Sequence, residues 1–284
     1  MSQCKSWITF TMTALIACLV LAPPVTPAPP VQAEEAVDDG KKKPKFNVGG
    51  VDQPGATIKG LVLYSGKKYK TKKTLDMATD KFCVGGHAEP ASYNQTRLYG
   101  KNGDQVTLQN VFVWVSKGIG KKDYPTPDKP AVLDQIGCLY TPRVSGIVTG
   151  QTLQVLNSDN TRHNVNLFKS SKNPKFNNAS SKGQVITKVF KRAEVGKKHL
   201  QYKCDVHGWM KAHMHVVAHP FFAVTQEDGT FELRGLKPGE YELSFWHEYS
   251  KYLPDKKTIT VTVGEGETKE VTVTYKKKPS RKKS

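Results

Sequence analysis

Cysteine is scarce in this chain, with five in 284 residues and no Cys-x-x-Cys pair among them. That absence excludes covalent haem attachment through Cys-x-x-Cys-His and argues against a zinc site of the paired-cysteine kind. No long amphipathic helical pattern can be drawn, and most segments alternate with a period of two. No motif interleaves aromatic with basic residues, so nucleic acid is not an expected partner. No hydrolytic Ser, His, Asp signature is visible, so an enzyme is not indicated. Acidic residues are few beside basic ones, 25 against 43, for a formal net charge of +18. Such an excess bears on partners and solubility rather than on fold.

Long apolar runs are also missing. The one from Trp7 to Ala22 is shorter than the roughly 20 residues that span a bilayer. It follows Lys5 and leads through Pro-rich sequence to Val31-Gln32-Ala33, the pattern of an export signal over residues 1–33 cleaved after Ala33. A single membrane helix is the alternative. Leu15-Ile16-Ala17-Cys18 resembles the bacterial lipobox, which would make Cys18 a lipid anchor. All of these routes leave the cytoplasm, so the expected location is periplasmic or extracellular, where disulfides persist. Residues 34–54 mix Glu, Asp, Gly, Pro and a Lys run and read as a disordered linker. Residues 276–284 read as a solvated basic tail.

Between them β-branched and aromatic residues alternate in short runs. These include Thr57 to Tyr64, Val106 to Val115, Gln151 to Leu156, His163 to Phe168, Leu200 to Cys204 and Thr258 to Val263, and they are punctuated by turns such as Asp228-Gly229. Many short strands with turn signals predict an all-β protein of sandwich type.

The most informative stretch is Tyr202-Lys203-Cys204-Asp205-Val206-His207-Gly208-Trp209-Met210. It offers a thiolate, an imidazole and a thioether within one loop. His163, opening a strand-like run and followed by Asn164, qualifies as a fourth ligand. Two His and one Cys with a weak axial Met suit copper, and the set His163, Cys204, His207 and Met210 is the type 1, or blue, arrangement. A zinc site from Cys204, His207 and another His would leave the Met without a role. Here the chain resembles the cupredoxins, and the spacing Cys204-x-x-His207-x-x-Met210 resembles the short loop of the amicyanins. The resemblance implies a Greek-key β-sandwich over residues 131–218, one copper ion, single-electron transfer, and Asn164 bracing the Cys204 loop; in an electron-transfer protein His207, near the surface, would be the exit for the electron. Gly196-Lys197-Lys198-His199 departs from the family's usual turn before the Cys strand.

His213 and His215 alternate on the strand leaving this loop, either as a second, weaker metal site or as decoration of a solvated face. His87, His199, His219 and His247 have no partner visible in the sequence. Cys83 and Cys138 are expected to pair, since Cys204 is otherwise engaged; Cys83 to His87 as half of a metal site is the alternative.

The segment Phe221 to Tyr275, with its Asp228-Gly229 hairpin and Leu236-Lys237-Pro238-Gly239 turn, resembles the carboxypeptidase regulatory-like, or transthyretin-like (prealbumin-like), sandwich. That family's opening strands match earlier sequence, Ile58 to Gly66 and Asn110 to Val115. Residues 55–130 and 219–275 are therefore expected to form one discontinuous sandwich with the copper segment inserted. The combination resembles bacterial methylamine-utilisation-like proteins. The expected partner is an acidic redox protein such as a c-type cytochrome, with an anionic envelope surface as a second candidate. Envelope structural, adhesive or copper-carrying roles are the alternatives to electron transfer.

Overall fold

The computed structural model describes residues 48–66, 77–85, 98–120 and 124–278. The expected leader with Cys4 and Cys18, the expected linker up to residue 47, His87 and the expected tail from residue 279 lie outside the described residues. Regular structure among the described residues is almost entirely strand, in four sheets. A one-turn α-helix, Lys81–Gly85, and a 3-10 turn, Gly196–Lys198, are the exceptions. The protein is all-β and built of β-sandwiches. No helix among the described residues is long and apolar enough to cross a membrane.

Alternation explains the layers. In Thr152–Asn157 every second side chain is buried, Leu153, Val155 and Asn157 pointing inward, as the pleat requires. Ala56–Ser65 likewise turns Ala56, Ile58, Val62 and Tyr64 to the inside. Each fully buried large apolar side chain contributes about 1.5–3 kcal/mol, enough to pin the register wherever one face is dry.

Strands from both ends of the described chain share one core. Ala56–Ser65 lies between Thr230–Leu236, antiparallel to it, and Thr268–Lys277, parallel to it. The facing sheet runs Phe222–Val224, Phe112–Lys117, Gly239–Trp246, Thr258–Val263. Ile58, Val62 and Val273 pack with Val113, Val115, Leu243 and Val261 between the sheets. The intervening residues build a second core around Leu133, Ile147, Leu153, Val165 and Leu167. It lies between the sheet Phe176–Ser180, His163–Lys169, Leu200–Lys203, Lys211–Val217, Val144–Val148 and the sheet Val185–Val189, Thr152–Asn157, Ala131–Ile136, Leu139–Thr141.

Several sequence expectations need correction. Val48–Gly50, inside the expected linker, is a strand parallel to Glu232–Arg234. The Gly50 N–H reaches the Pro220 carbonyl, so an edge left by a distant strand satisfies its backbone. Lys276 and Lys277, expected in the tail, finish a strand paired with Leu253 and Tyr252. The run Val106 to Val115 is two strands, Gln105–Leu108 and Phe112–Lys117. Between them Asn110 takes a left-handed φ of 59°, which Asn tolerates, and the Thr225 carbonyl and hydroxyl accept the N–H groups of Asn110 and Val111. Met77, Phe82 and Cys83 join the core of the inserted sandwich rather than that of the discontinuous one.

Phe112, Val144, Val217 and Val224 form a small separate cluster where strands of the two sandwiches meet. Gly146 lies in Val144–Val148, and a Cβ there would sit 2.3 Å from the Phe222 ring and 2.8 Å from that of Phe112. Gly146→Ala is therefore expected to cost about 1–3 kcal/mol by overpacking, read as a lowered thermal midpoint. An unchanged midpoint would mean that the two rings yield freely.

Candidate metal centre

Sheet register brings together residues that lie far apart in sequence. His163 opens His163–Lys169, which pairs with Leu200–Lys203 through Asn166 and Lys203. Cys204 follows that second strand directly. The loop then closes on itself, the Cys204 N–H bonding the Met210 carbonyl at 3.2 Å and the Met210 N–H the His207 carbonyl at 2.9 Å. Lys211–Val217 departs antiparallel to Leu200–Lys203.

One donor atom each of His163, Cys204 and His207 lies within 4.8 Å of the other two, an arrangement that could hold a metal ion, and all three residues are buried. The two Nδ1 atoms are 2.8 Å apart, and Cys204 Sγ is 3.9 Å from His207 Nδ1. Met210 is fully buried in the same apolar cluster as Cys204. Asn164 Oδ1 accepts the Asp205 N–H at 2.6 Å and the Cys204 thiol at 3.3 Å. Asp205 in turn accepts from the side-chain amides of Asn164, Asn166 and Asn177.

The outer edges of both imidazoles are held by carboxylates. His163 Nε2–H donates to Asp159 Oδ2 at 2.8 Å, and His207 Nε2–H to Asp80 Oδ2 at 3.0 Å. Asp159 also accepts the backbone N–H groups of Gly137 and Cys138. Burial opposes charge on His163, yet Asp159 and the neighbouring Cys204 hold it up to about 9. Burial pushes the Cys204 thiol up, but His163 and the surrounding backbone N–H groups overcome this and draw it below its usual range. Burial also lowers His207, with Asp80 opposing.

At 2.8 Å the two Nδ1 atoms are within hydrogen-bonding distance, so two imidazole nitrogens converge on one proton beside a thiol of lowered pKa. A soft cation that displaces the proton would meet two nitrogens and a sulfur whose orientation is fixed from outside. The donor set fits copper.

One expectation fails. His207 does not lie at the surface: it is 1 % exposed, its outer nitrogen covered by Asp80 and with Cys83 Sγ at 3.8 Å. Cys83 and Cys138 are joined in a disulfide, Cα–Cα 5.5 Å, which ties the helix Lys81–Gly85 over this edge. In this loop Asp205, Val206 and Gly208 are exposed, Val206 at 60 %, and Trp209 is half-buried, its ring 5.0 Å from that of His207 and its Nε1–H bonding the Cys138 carbonyl.

His213 and His215 share a face but not a metal-binding point. His213 Nδ1 meets His199 Nε2 at 2.8 Å and its Nε2 meets Glu248 at 3.1 Å. Arg143 also pairs with Glu248, through Nε at 2.7 Å. His215 Nδ1 accepts the Gly196 N–H, and its ring stacks on Phe112 at 3.8 Å. Among the described residues the converging His, Cys, Asp and Glu groups all lie around His163 and His207 instead. The departing turn Gly196–Lys198 thus places His199 against His213.

Sequence reading missed Asp80 and Asp159. Asp159 had a local signal, four residues before His163 in the Asn157-Ser158-Asp159 run. Asp80 is 127 positions from His207 and had none.

No family model matches the chain, and no curated protein matches it. Among solved structures it is similar to the copper-containing nitrite reductase of Thermus scotoductus SA-01, at 20% identity, covering 35% of this chain and 24% of that one, with a TM-score of 0.29. It is also similar to a methionine-to-glutamine mutant of amicyanin in its Cu(I) form, at 19% identity, covering 31% and 81%, with a TM-score of 0.28. The purple cupredoxin of Nitrosopumilus maritimus shares 23% identity, with coverage of 28% and 81% and a TM-score of 0.23. The chain spans about a quarter of the length of the nitrite reductase it matches.

Proposed function

We propose that this chain is an exported protein that binds one copper ion between His163, Cys204, His207 and Met210 and passes single electrons. The observation that carries the reading is the buried convergence of His163 Nδ1, His207 Nδ1 and Cys204 Sγ, with the far nitrogens of both rings fixed by Asp159 and Asp80. Copper held there would supply a one-electron couple between its +1 and +2 states. The chain's own part is rigidity: two strands, a self-closed loop and two carboxylates hold the donors in place whichever charge they face.

The exposed Val206 and half-buried Trp209 mark the surface for a weak, transient partner. With a net charge of +18, an acidic redox protein such as a c-type cytochrome is the partner class, and association should slow as salt rises. Copper carriage is a second reading, favoured by the enclosure of His207, which sets that ring back from the surface where an electron would leave. A carrier would yield its copper to a chelator faster than it exchanges electrons with a small inorganic oxidant.

Titrating the metal-free chain with copper(II) tests the proposal through visible and electron-spin spectra. One equivalent should develop an intense thiolate-dependent band, and its absence would overturn the reading. Met210→Leu should keep the colour and change the reduction potential. If neither spectrum nor potential changes, Met210 is not part of the ligand set.

A further inference from the structure

Residues 77–85 do more than cover the site. Asp80 heads the helix Lys81–Gly85: its Oδ1 accepts the N–H groups of Phe82 and Cys83, at 2.8 and 3.4 Å, as a helix cap. Its other oxygen accepts from Thr161 Oγ1 and His207 Nε2, both at 3.0 Å. One carboxylate therefore both organises the turn and braces the imidazole. A five-residue helix has no stability of its own, so something else must hold it here. Burial of Met77 and Phe82 is one anchor, and the Cys83–Cys138 bond is the other.

The far end of that bond touches the second brace. The Cys138 N–H donates to Asp159 Oδ2 at 2.8 Å, the same oxygen that holds His163 Nε2. Asp80, Cys83 and His207 form one converging group, and Cys138, Asp159 and His163 another. The disulfide joins the two.

We propose that the Cys83–Cys138 disulfide is a redox latch on the metal-binding histidines: while it is closed, Asp80 is held on His207, and its reduction releases the turn, frees the outer edge of the imidazole and speeds metal exchange. The site and metal are those of the proposed function, on which the last part rests; the latch on His207 stands without them. Reduction consumes a thiol reductant. Two RSH groups deliver two electrons and two protons to the S–S bond, leaving Cys83 and Cys138 as thiols and forming RSSR.

The test uses the full chain in two states. In the metal-free protein, the rate at which diethylpyrocarbonate modifies His207, read by mass spectrometry, should rise several-fold once the disulfide is reduced, because the outer nitrogen loses its cover. In the copper-loaded protein, the Cys83→Ser, Cys138→Ser double variant should lose copper to EDTA about 10–100-fold faster than the parent. Asp80→Asn, with the disulfide intact, should show a comparable rise, and combining the changes should add little because they act through one contact. An unchanged His207 modification rate overturns the latch. So does a double variant that holds copper as firmly as the parent, or a reduced chain whose circular dichroism shows global unfolding, since the bond is then a staple. A parent chain that takes up no copper overturns the proposed function and leaves the His207 measurement to decide the latch.

Discussion

Cys204→Ser is expected to abolish the strong visible band of the copper-loaded chain and to weaken copper binding by more than the roughly 100-fold that loss of an outer-sphere contact costs. Two physical reasons set the size. A hydroxyl is a hard donor that stays protonated at neutral pH, whereas the Cys204 thiol is drawn below its usual pKa and supplies the soft anion that copper favours. Cys204 is also the one free cysteine among the described residues, so no neighbouring thiol can take its place. The fold should survive, since Ser keeps the shape and can still accept the His207 N–H that now points at Sγ at 3.3 Å. Visible spectroscopy and calorimetric titration check the outcome, and a band that persists would remove Cys204 from the site.

Glu194→Ala should produce the largest loss of stability, about 3 kcal/mol at neutral pH. Glu194 is 1 % exposed. Its carboxylate accepts from Ser170 Oγ, from the N–H and hydroxyl of Ser171, from the Lys172 N–H and from the backbone and side-chain N–H groups of Asn173. Its backbone pairs with Val216, anchoring the entry to the turn Gly196–Lys198 and so to the strand that delivers Cys204. Alanine leaves these donors without their acceptor. Burial opposes the charge, but the converging donors prevail and hold the carboxyl at about 2, against 4.5 for the free group. A depressed value means stability that is present in full above about 4.5 and is lost as pH falls toward 2. Denaturant unfolding should therefore show parent and variant furthest apart near neutral pH and converging in acid. A gap independent of pH would mean that the carboxylate's charge is not what holds this loop.

Legibility in the sequence followed the range of each interaction. Thr258–Val263 could be read to the residue because alternation is local and its inward side chains meet a dry core. Val48–Gly50 could not, being a strand of three residues whose partner lies about 180 positions on. The helix Lys81–Gly85 is a single turn, too short for a helical period to register. At the candidate metal centre the donor types stood out, since sulfur and imidazole at close spacing have few other uses. The carboxylates did not, because exposed Asp residues are common and nothing local separates Asp80 from the rest. The enclosure of His207 was missed for the same reason: the covering turn comes from another part of the chain, joined to the site through the Cys83–Cys138 bond.

By itself, the sequence determined the all-β character, through side-chain period, and the chemistry on offer, through a Cys, His and Met loop with a distant His. Tertiary structure alone decided which atoms converge, which edge of His207 is shut and which carboxylates steady the rings. Those outcomes depend on contacts between residues far apart along the chain, whose energies belong to the packed pair and leave no mark on either segment read alone.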